Sequence, residues 1–251
     1  MKFSVIIPAR YASTRFPGKP LADVAGRPMV VRVAEQARRS GATEVLIATD
    51  DRRIADAARR HGFEAVMTAR RHASGTDRIA EVAAKRRYPG THIVVNVQGD
   101  EPLIEPSLIR RVASDLARRR DAAMATACHP IRSARDLGNP NIVKVALDRG
   151  GNALYFSRAP IPWARDGFQR GISRIPPGLP VYRHLGIYAY RAAFLRAFTR
   201  LKPAAIERFE ALEQLRALAH GHRIHCAIAR AALHPGVDTP ADLKRILRHF
   251  R

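Results

Sequence analysis

The run Phe3-Ser4-Val5-Ile6-Ile7 constrains the fold of this chain more than any other stretch. It is short, β-branched and almost wholly apolar, the pattern of a strand covered on both faces. Such a strand needs helices above and below it, so the sequence around it must supply βα connections. It does. Pro8 is expected to stop the first ladder. After it, Gly26-Arg27-Pro28 places a proline at a helix start, and Val30, Val33, Ala34 and Ala37 recur at helical spacing up to Gly41. Thr43 to Thr49 reads as a second buried strand, and Asp50-Asp51 cap a helix carrying Ile54, Ala55 and Ala58 to His61-Gly62. Glu64 to Met67 is a short strand, residues 72–78 a loop, Ile79 to Arg87 a helix, and Ile93 to Val97 another buried strand. Three successive βα units predict an α/β fold built on a doubly wound, mostly parallel sheet with right-handed crossovers.

The alternation loosens further along. Pro106 to Arg120 reads as a helix and Ala122 to Cys128 as a strand. Asn141 to Leu147 and Ala153 to Phe156 read as two strands around Asp148-Arg149-Gly150-Gly151. Ala159 to Pro180 is rich in Pro and Gly and is expected to be a loop or extended arm. Tyr182 to Tyr190 looks like a strand. Ala204 to Ala219 looks like one amphipathic helix with Phe209, Leu212, Leu215 and Leu218 on its apolar stripe, Ile224 to Ile228 a last strand, and Pro240 the start of a terminal helix.

Bulk properties narrow the function. No run approaches the ~18 apolar residues of a membrane span. Only about five apolar residues precede Pro8 and Arg10, too few for a secretory signal, so a cytoplasmic location is expected. Cys128 and Cys226 lack Cys-x-x-Cys spacing and sit among small apolar neighbours, and they are read as packed thiols. The net charge of +22 raises the question of nucleic acid. Yet the excess arginine is spread through nearly every helix, as at Arg38-Arg39, Arg59-Arg60 and Arg118-Arg119-Arg120, with no aromatic-studded basic sheet beside it. Neither a nucleic-acid nor a membrane partner is expected, and the charge serves at most to steer anionic substrates.

Three constellations carry chemistry. After the first strand, Pro8, Ala9, Arg10, Arg15 and Lys19 form a loop of cations and small residues where open α/β sheets bind ligands. Guanidiniums grip phosphate oxygens in pairs, so the loop suits a triphosphate, although no Walker motif is present. A solvated basic loop is the other reading. In residues 72–78, Ser74, Gly75 and Arg78 sit where a helix N-terminus meets a phosphate or a base edge, or simply form a helix cap. In Gln98-Gly99-Asp100-Glu101-Pro102 the carboxylate of Asp100 follows a buried strand, a good place for a hard cation such as Mg2+. Asp238, ahead of Pro240, is the second candidate ligand, with an N-cap as its alternative role. Arg158 is placed to meet an anion, while the strand bearing His184 and Tyr188 lines a pocket or faces solvent or a second subunit. Glu213 is either an acceptor for sugar hydroxyls or a surface carboxylate. His220, His222 and His225 fit no tight zinc site.

Taken in order, Ile7-Pro8-Ala9-Arg10, Ser13-Thr14-Arg15, Pro17-Gly18-Lys19-Pro20-Leu21, Ser74-Gly75-Thr76-Asp77-Arg78, Asn96-Val97-Gln98-Gly99-Asp100-Glu101-Pro102, Phe156-Ser157-Arg158-Ala159-Pro160-Ile161-Pro162 and Val237-Asp238-Thr239-Pro240 closely resemble the 3-deoxy-manno-octulosonate (Kdo) cytidylyltransferases, the CMP-Kdo synthetases. The match spans nearly the whole chain. Phe16, Leu185 and Ala241 depart from the family pattern without touching a proposed ligand group. Sialic-acid-activating relatives share the opening Pro-Ala-Arg but continue with a Ser-Lys pattern where this chain has Ser13-Thr14-Arg15. The resemblance implies transfer of CMP from CTP to the C2 hydroxyl of Kdo with release of pyrophosphate, Mg2+ dependence, a homodimer, and a role in lipopolysaccharide assembly. Sialic acid or 8-amino-Kdo is the alternative sugar. It implies one domain, with a CTP-binding part over residues 1–128 and a smaller sugar-binding and dimerisation lobe over 129–251. Pro8, Ala9, Arg10, Arg15 and Lys19 would hold the triphosphate, with Arg10, Arg15, Lys19 and Asp100 catalytic; Ser74, Gly75 and Arg78 would hold the cytidine side; Asp100 and Asp238 would hold Mg2+. Gln98, Arg158, His184, Tyr188 and Glu213 would line the sugar pocket.

Overall fold

The computed structural model describes residues 1–12, 16–229 and 236–250. Arg15, expected on the triphosphate, lies outside the described residues. The elements run β1 (Phe3–Ala9), α1 (Met29–Arg39), β2 (Glu44–Thr49), α2 (Arg52–Arg60), β3 (Glu64–Met67), α3 (Gly75–Lys85) and β4 (Ile93–Asn96). Then come α4 (Pro106–Arg118), β5 (Met124–Pro130), α5 (Ala134–Gly138), β6 (Lys144–Leu147), β7 (Ala153–Ser157), β8 (Tyr182–Arg191) and α6 (Ala192–Phe198). The chain closes with α7 (Ala205–Glu210), α8 (Gln214–Ala219), β9 (Ile224–Ile228) and α9 (Pro240–Ile246).

Among the described residues, nine strands make one sheet in the order β3-β2-β1-β4-β8-β5-β9, with β6 joining β8 and β7 joining β6. The first four strands are parallel, as the βα rhythm requires. β8 is antiparallel to both of its main neighbours, β4 and β5, and β9 returns parallel to β5. The apolar run is covered on both sides: Phe3, Val5, Ile7 and Ala9 pack with α1, α2 and α4, and Ile6 packs in the cluster formed by α3, α6 and α8. Each fully buried Val or Ile contributes about 1.5–3 kcal/mol through its removal from water.

Several boundaries differ from expectation for local reasons. β1 continues through Pro8, which pairs with Ala48, to Ala9. The ladder to β4 ends two residues earlier, at Ile6 with Asn96, so the missing proline N–H interrupts nothing on that side. α3 starts at Gly75 rather than Ile79 because Ser74 and Asp77 form a reciprocal capping box. Residues 204–219 are two short helices, not one. Ala211 sits at φ +50° between them, and Phe209, expected in the core, is 91 % exposed. The Pro-rich arm is ordered by its own small core, in which Phe168 packs with Ile131, Leu137 and Val181. A further cluster of Val24, Met29, Val237 and Ile246 draws α9 back onto the segment that follows β1.

Candidate active site

The strand order reverses direction at β1, since β2 and β3 extend to one side of it and β4 to the other. Ligands of open α/β sheets bind at such a switch, outside the carboxyl ends of the strands. β1 runs out there into Pro8-Ala9-Arg10 and β4 into Gln98-Gly99-Asp100. The two tips touch: a Cβ added to Gly99 would lie 3.0 Å from the Pro8 carbonyl oxygen, so any side chain there would press on that backbone. A Cβ on Gly75 would sit 3.5 Å from the Pro8 ring, which sets the N-terminus of α3 against the same tip. The Ser74 hydroxyl accepts from the Asp77 N–H at 3.1 Å and donates to the Asp77 carboxylate at 3.0 Å. Ser74 is therefore a helix cap first. The amides of Gly75 and Thr76 belong to the helical turn whose N–H groups have no intrahelical partner.

Arg78 was expected at a loop edge, but it is 0 % exposed. Its guanidinium donates to the Thr68 hydroxyl and lies 3.2 Å from the Asp50 carboxylate. Burial pulls its pKa down, Asp50 pushes it up, and neighbouring Arg10 pulls it down again. Among the described residues, the Nε of Arg78 and one terminal nitrogen of Arg10 are buried without an acceptor. Two adjacent guanidiniums with unsatisfied donors are suited to an anion.

Lys19 reaches across the crevice. Its Nζ donates to Asp100 Oδ2 at 2.6 Å and to Asp238 Oδ1 at 3.4 Å, so residues separated by more than two hundred positions meet at one point. The Val237 N–H donates to the Asp100 carbonyl at 2.8 Å and locks the two segments together. The capping alternative for Asp238 is excluded, because Thr239 is the N-cap of α9 and accepts from the Asp242 N–H. Among the described residues no group of three or more His, Cys, Asp or Glu forms a metal cage. Asp100 and Asp238 converge on the Lys19 ammonium.

On the far side of β4, Gln98 Nε2 donates to the Gly186 carbonyl of β8 at 3.4 Å. His184 Nε2 pairs with the Thr126 hydroxyl at 2.9 Å and lies edge-on to Phe156, with Tyr188 next along the strand. Burial pushes the His184 pKa down to about 3, so its imidazole is neutral, and it raises the Tyr188 phenol well above its usual value. Glu213 accepts from the Thr76 hydroxyl of α3 at 2.7 Å, which rules out the plain surface reading and ties it to the N-terminal turn of α3. Arg158 directly follows β7, with its Nε donating to the Glu210 carbonyl at 2.7 Å. The structure thus gathers Gln98, His184, Tyr188 and Glu213 around β8, while Arg158 pairs with Glu210 and Pro140. His220, His222 and His225 diverge to the Lys202 carbonyl, the Phe194 ring and Asp115 respectively.

Sequence reasoning missed Thr76, Thr126, Glu210 and Gln214. The Gln214 Nε2 is buried without an acceptor among the described residues. Its position beside Glu213 was the available signal, hidden by reading that stretch as the middle of one long helix. Cys128 and Cys226 are both free and buried, as expected of packed thiols.

No helix among the described residues is long and apolar enough to cross a membrane. Residues 4–224 match the family model described as Cytidylyltransferase. The chain is 40 % identical to a CMP:2-keto-3-deoxy-manno-octonic acid synthetase solved in complex with CTP, with a TM-score of 0.90 over 100 % of this chain and 98 % of that one. A cytidylyltransferase from Leptospira borgpetersenii is 17 % identical with a TM-score of 0.63, covering 100 % of this chain and 88 % of that one. A nucleotidyl transferase from Methanothermobacter thermautotroptrophicus is 16 % identical with a TM-score of 0.61, covering 99 % and 97 %. These last two share the fold. The crevice at the β1–β4 switch, the paired carboxylates around Lys19 and the match along almost the whole chain lead to one conclusion: the chain belongs to the cytidylyltransferase family and is a nucleotidyltransferase.

Proposed function

We propose that the protein is a CMP-Kdo synthetase, which joins CTP to Kdo with release of pyrophosphate. The observation that carries this reading is Lys19 held between Asp100 and Asp238 at the mouth of the β1–β4 crevice. Likeness to a synthetase of this sugar complexed with CTP supports the choice of both substrates. Nucleotidyl transfer needs positioning and charge neutralisation rather than a protein nucleophile, and this site is built of cations, carboxylates and backbone amides.

Asp100 and Asp238 are the residues to hold Mg2+. Two hard carboxylate oxygens converging on one cation fit an ion that takes one or two carboxylates and leaves its other positions to phosphate and water. When bound, the ion supplies Lewis-acid neutralisation of phosphate charge and acidifies a coordinated hydroxyl. Arg10, Lys19 and, by the resemblance, Arg15 bind the triphosphate, while Pro8, Ala9, Ser74, Gly75 and Arg78 shape the nucleotide side. Gln98, Arg158, His184, Tyr188 and Glu213 orient the acidic sugar, His184 as a neutral donor or acceptor. In this reading residues 1–128 supply the nucleotide half and residues 129–251 the sugar half and the dimer contact. The homodimer, the cytoplasmic location and the place in lipopolysaccharide assembly rest on the family resemblance alone.

The test is pyrophosphate release with purified protein and Mg2+ across CTP, UTP, ATP and GTP against Kdo, 8-amino-Kdo and sialic acid. Release with CTP and Kdo is expected, together with its loss in Asp100→Asn. Release with another pair reassigns the pocket, and no release with any pair refutes the reading.

A further inference from the structure

Lys144 on β6 is 0 % exposed, a rare state for a lysine, which is almost never fully buried unless paired. Its ammonium has three donors, and three backbone carbonyls use them: Asn139 at 3.0 Å, Ile142 at 2.7 Å and Arg158. No donor is left for a substrate, so direct chemistry is excluded. The chain has spent a charged side chain on fixing backbone.

The backbone it fixes surrounds Arg158. Glu210, at the end of α7, accepts from the Arg158 N–H at 2.9 Å and from the Ser157 hydroxyl at 2.6 Å. The Arg158 guanidinium donates its Nε to the Glu210 carbonyl at 2.7 Å and one terminal nitrogen to the Pro140 carbonyl at 3.1 Å. Pro140 lies between the two residues of the 139–142 turn that Lys144 grips. Both carbonyls that orient the guanidinium therefore belong to segments held by Lys144 or Glu210. A guanidinium carries five N–H donors in a rigid fork, so those not turned to Pro140 and Glu210 have a fixed direction.

We propose that Lys144 and Glu210 are positioning residues that together aim the free edge of Arg158 at the carboxylate of the acidic sugar. This rests on the reading of Arg158 as a sugar-pocket residue. Misaligning a charged donor forfeits much of a charge-assisted hydrogen bond, which corresponds to about a tenfold or greater rise in KM for the sugar. A scaffolding role alone would alter stability without separating one substrate from the other.

The experiment measures KM for Kdo and for CTP separately in Lys144→Met, Arg158→Ala and the double variant, with Glu210→Gln in place of Lys144→Met if the latter is not recovered folded. The expected result is a Kdo KM raised about tenfold by Lys144→Met, a CTP KM within about twofold of the parent, and no further rise when Lys144→Met is added to Arg158→Ala. If Arg158→Ala raises the Kdo KM while Lys144→Met and Glu210→Gln leave it unchanged, or raise both KM values alike, the clamp is refuted and the pocket assignment stands. If Arg158→Ala leaves the Kdo KM unchanged, the assignment of Arg158 fails and the clamp falls with it.

Discussion

Replacing Asp50 by Asn strands a buried cation. Arg78 is wholly enclosed, its nearest carboxylate is Asp50 at 3.2 Å, and its other described polar partner is the neutral Thr68 hydroxyl. Arg10 repels it from the crevice side. Removing one member of a buried ion pair typically costs about 3–5 kcal/mol, because the remaining charge keeps its desolvation penalty. Asp50 is 19 % exposed and the Thr68 contact survives, so the lower end applies, about 3 kcal/mol. For a chain of this length that is a fall in Tm of about 6–12 °C. Urea denaturation of the parent, Asp50→Asn, Arg78→Met and the double variant measures it. In the Arg78→Met background Asp50→Asn should cost less than about 1 kcal/mol, leaving a coupling energy of about 2 kcal/mol. A single-variant loss below about 0.5 kcal/mol, or additivity in the double variant, would refute the reasoning.

Three other expectations follow from the same geometry. His184 has a folded-state pKa of about 3, below its unfolded value, so its contribution to stability is complete above about pH 6.5 and is lost as the pH falls toward 3. NMR titration should show its ring resonances unmoved between pH 5 and 8, and a mid-range titration would contradict the burial argument. Gly99→Ala forces a methyl against the Pro8 carbonyl and should cost about 1–3 kcal/mol by denaturation, with turnover falling further because Asp100 follows directly. Burial pushes the Cys128 thiol up to about 12 and the Cys226 thiol well above its usual value. Neither should react with a thiol reagent at pH 8 until urea unfolds the chain, and rapid labelling of the folded protein would show the reading to be mistaken.

The sequence was most legible where covering on both faces leaves an unmistakable trace. Phe3 to Ile7, Thr43 to Thr49 and Ile93 to Val97 mark such covered strands, while Glu64 to Met67 marks the partly exposed edge strand β3, and the tips of β1 and β4 carry the crevice. Asp100 and Asp238 were found as separate local signals, and Lys19 joining them was not, because a contact spanning some two hundred residues has no local signature. The α7–α8 break was hidden for a different reason. The spacing of Phe209, Leu212 and Leu215 suits one continuous helix, and only the left-handed Ala211 ends it and turns Phe209 outward. Arg78 and Lys144 were misjudged or passed over because composition assigns such residues to the surface, and nothing in the neighbouring letters reveals that carbonyls and a carboxylate await them in the interior.

The place of β8 in the sheet has a kinetic meaning. It lies between β4 and β5, yet its residues, 182–191, come after both in the chain. During synthesis β1 to β4 can pair as each βα unit leaves the ribosome, but the open edge of β4 must wait for about 85 further residues before β8 begins, and the facing edge of β5 for about 50. Two unpaired strand edges held that long are templates for wrong partners, and a nascent chain halted in the 159–180 arm exposes both. Gln98 finds Gly186, and the Thr126 hydroxyl finds His184, only when this late strand slots home. Sugar binding would then report on completed folding: a chain that has not closed its sheet has no pocket to offer.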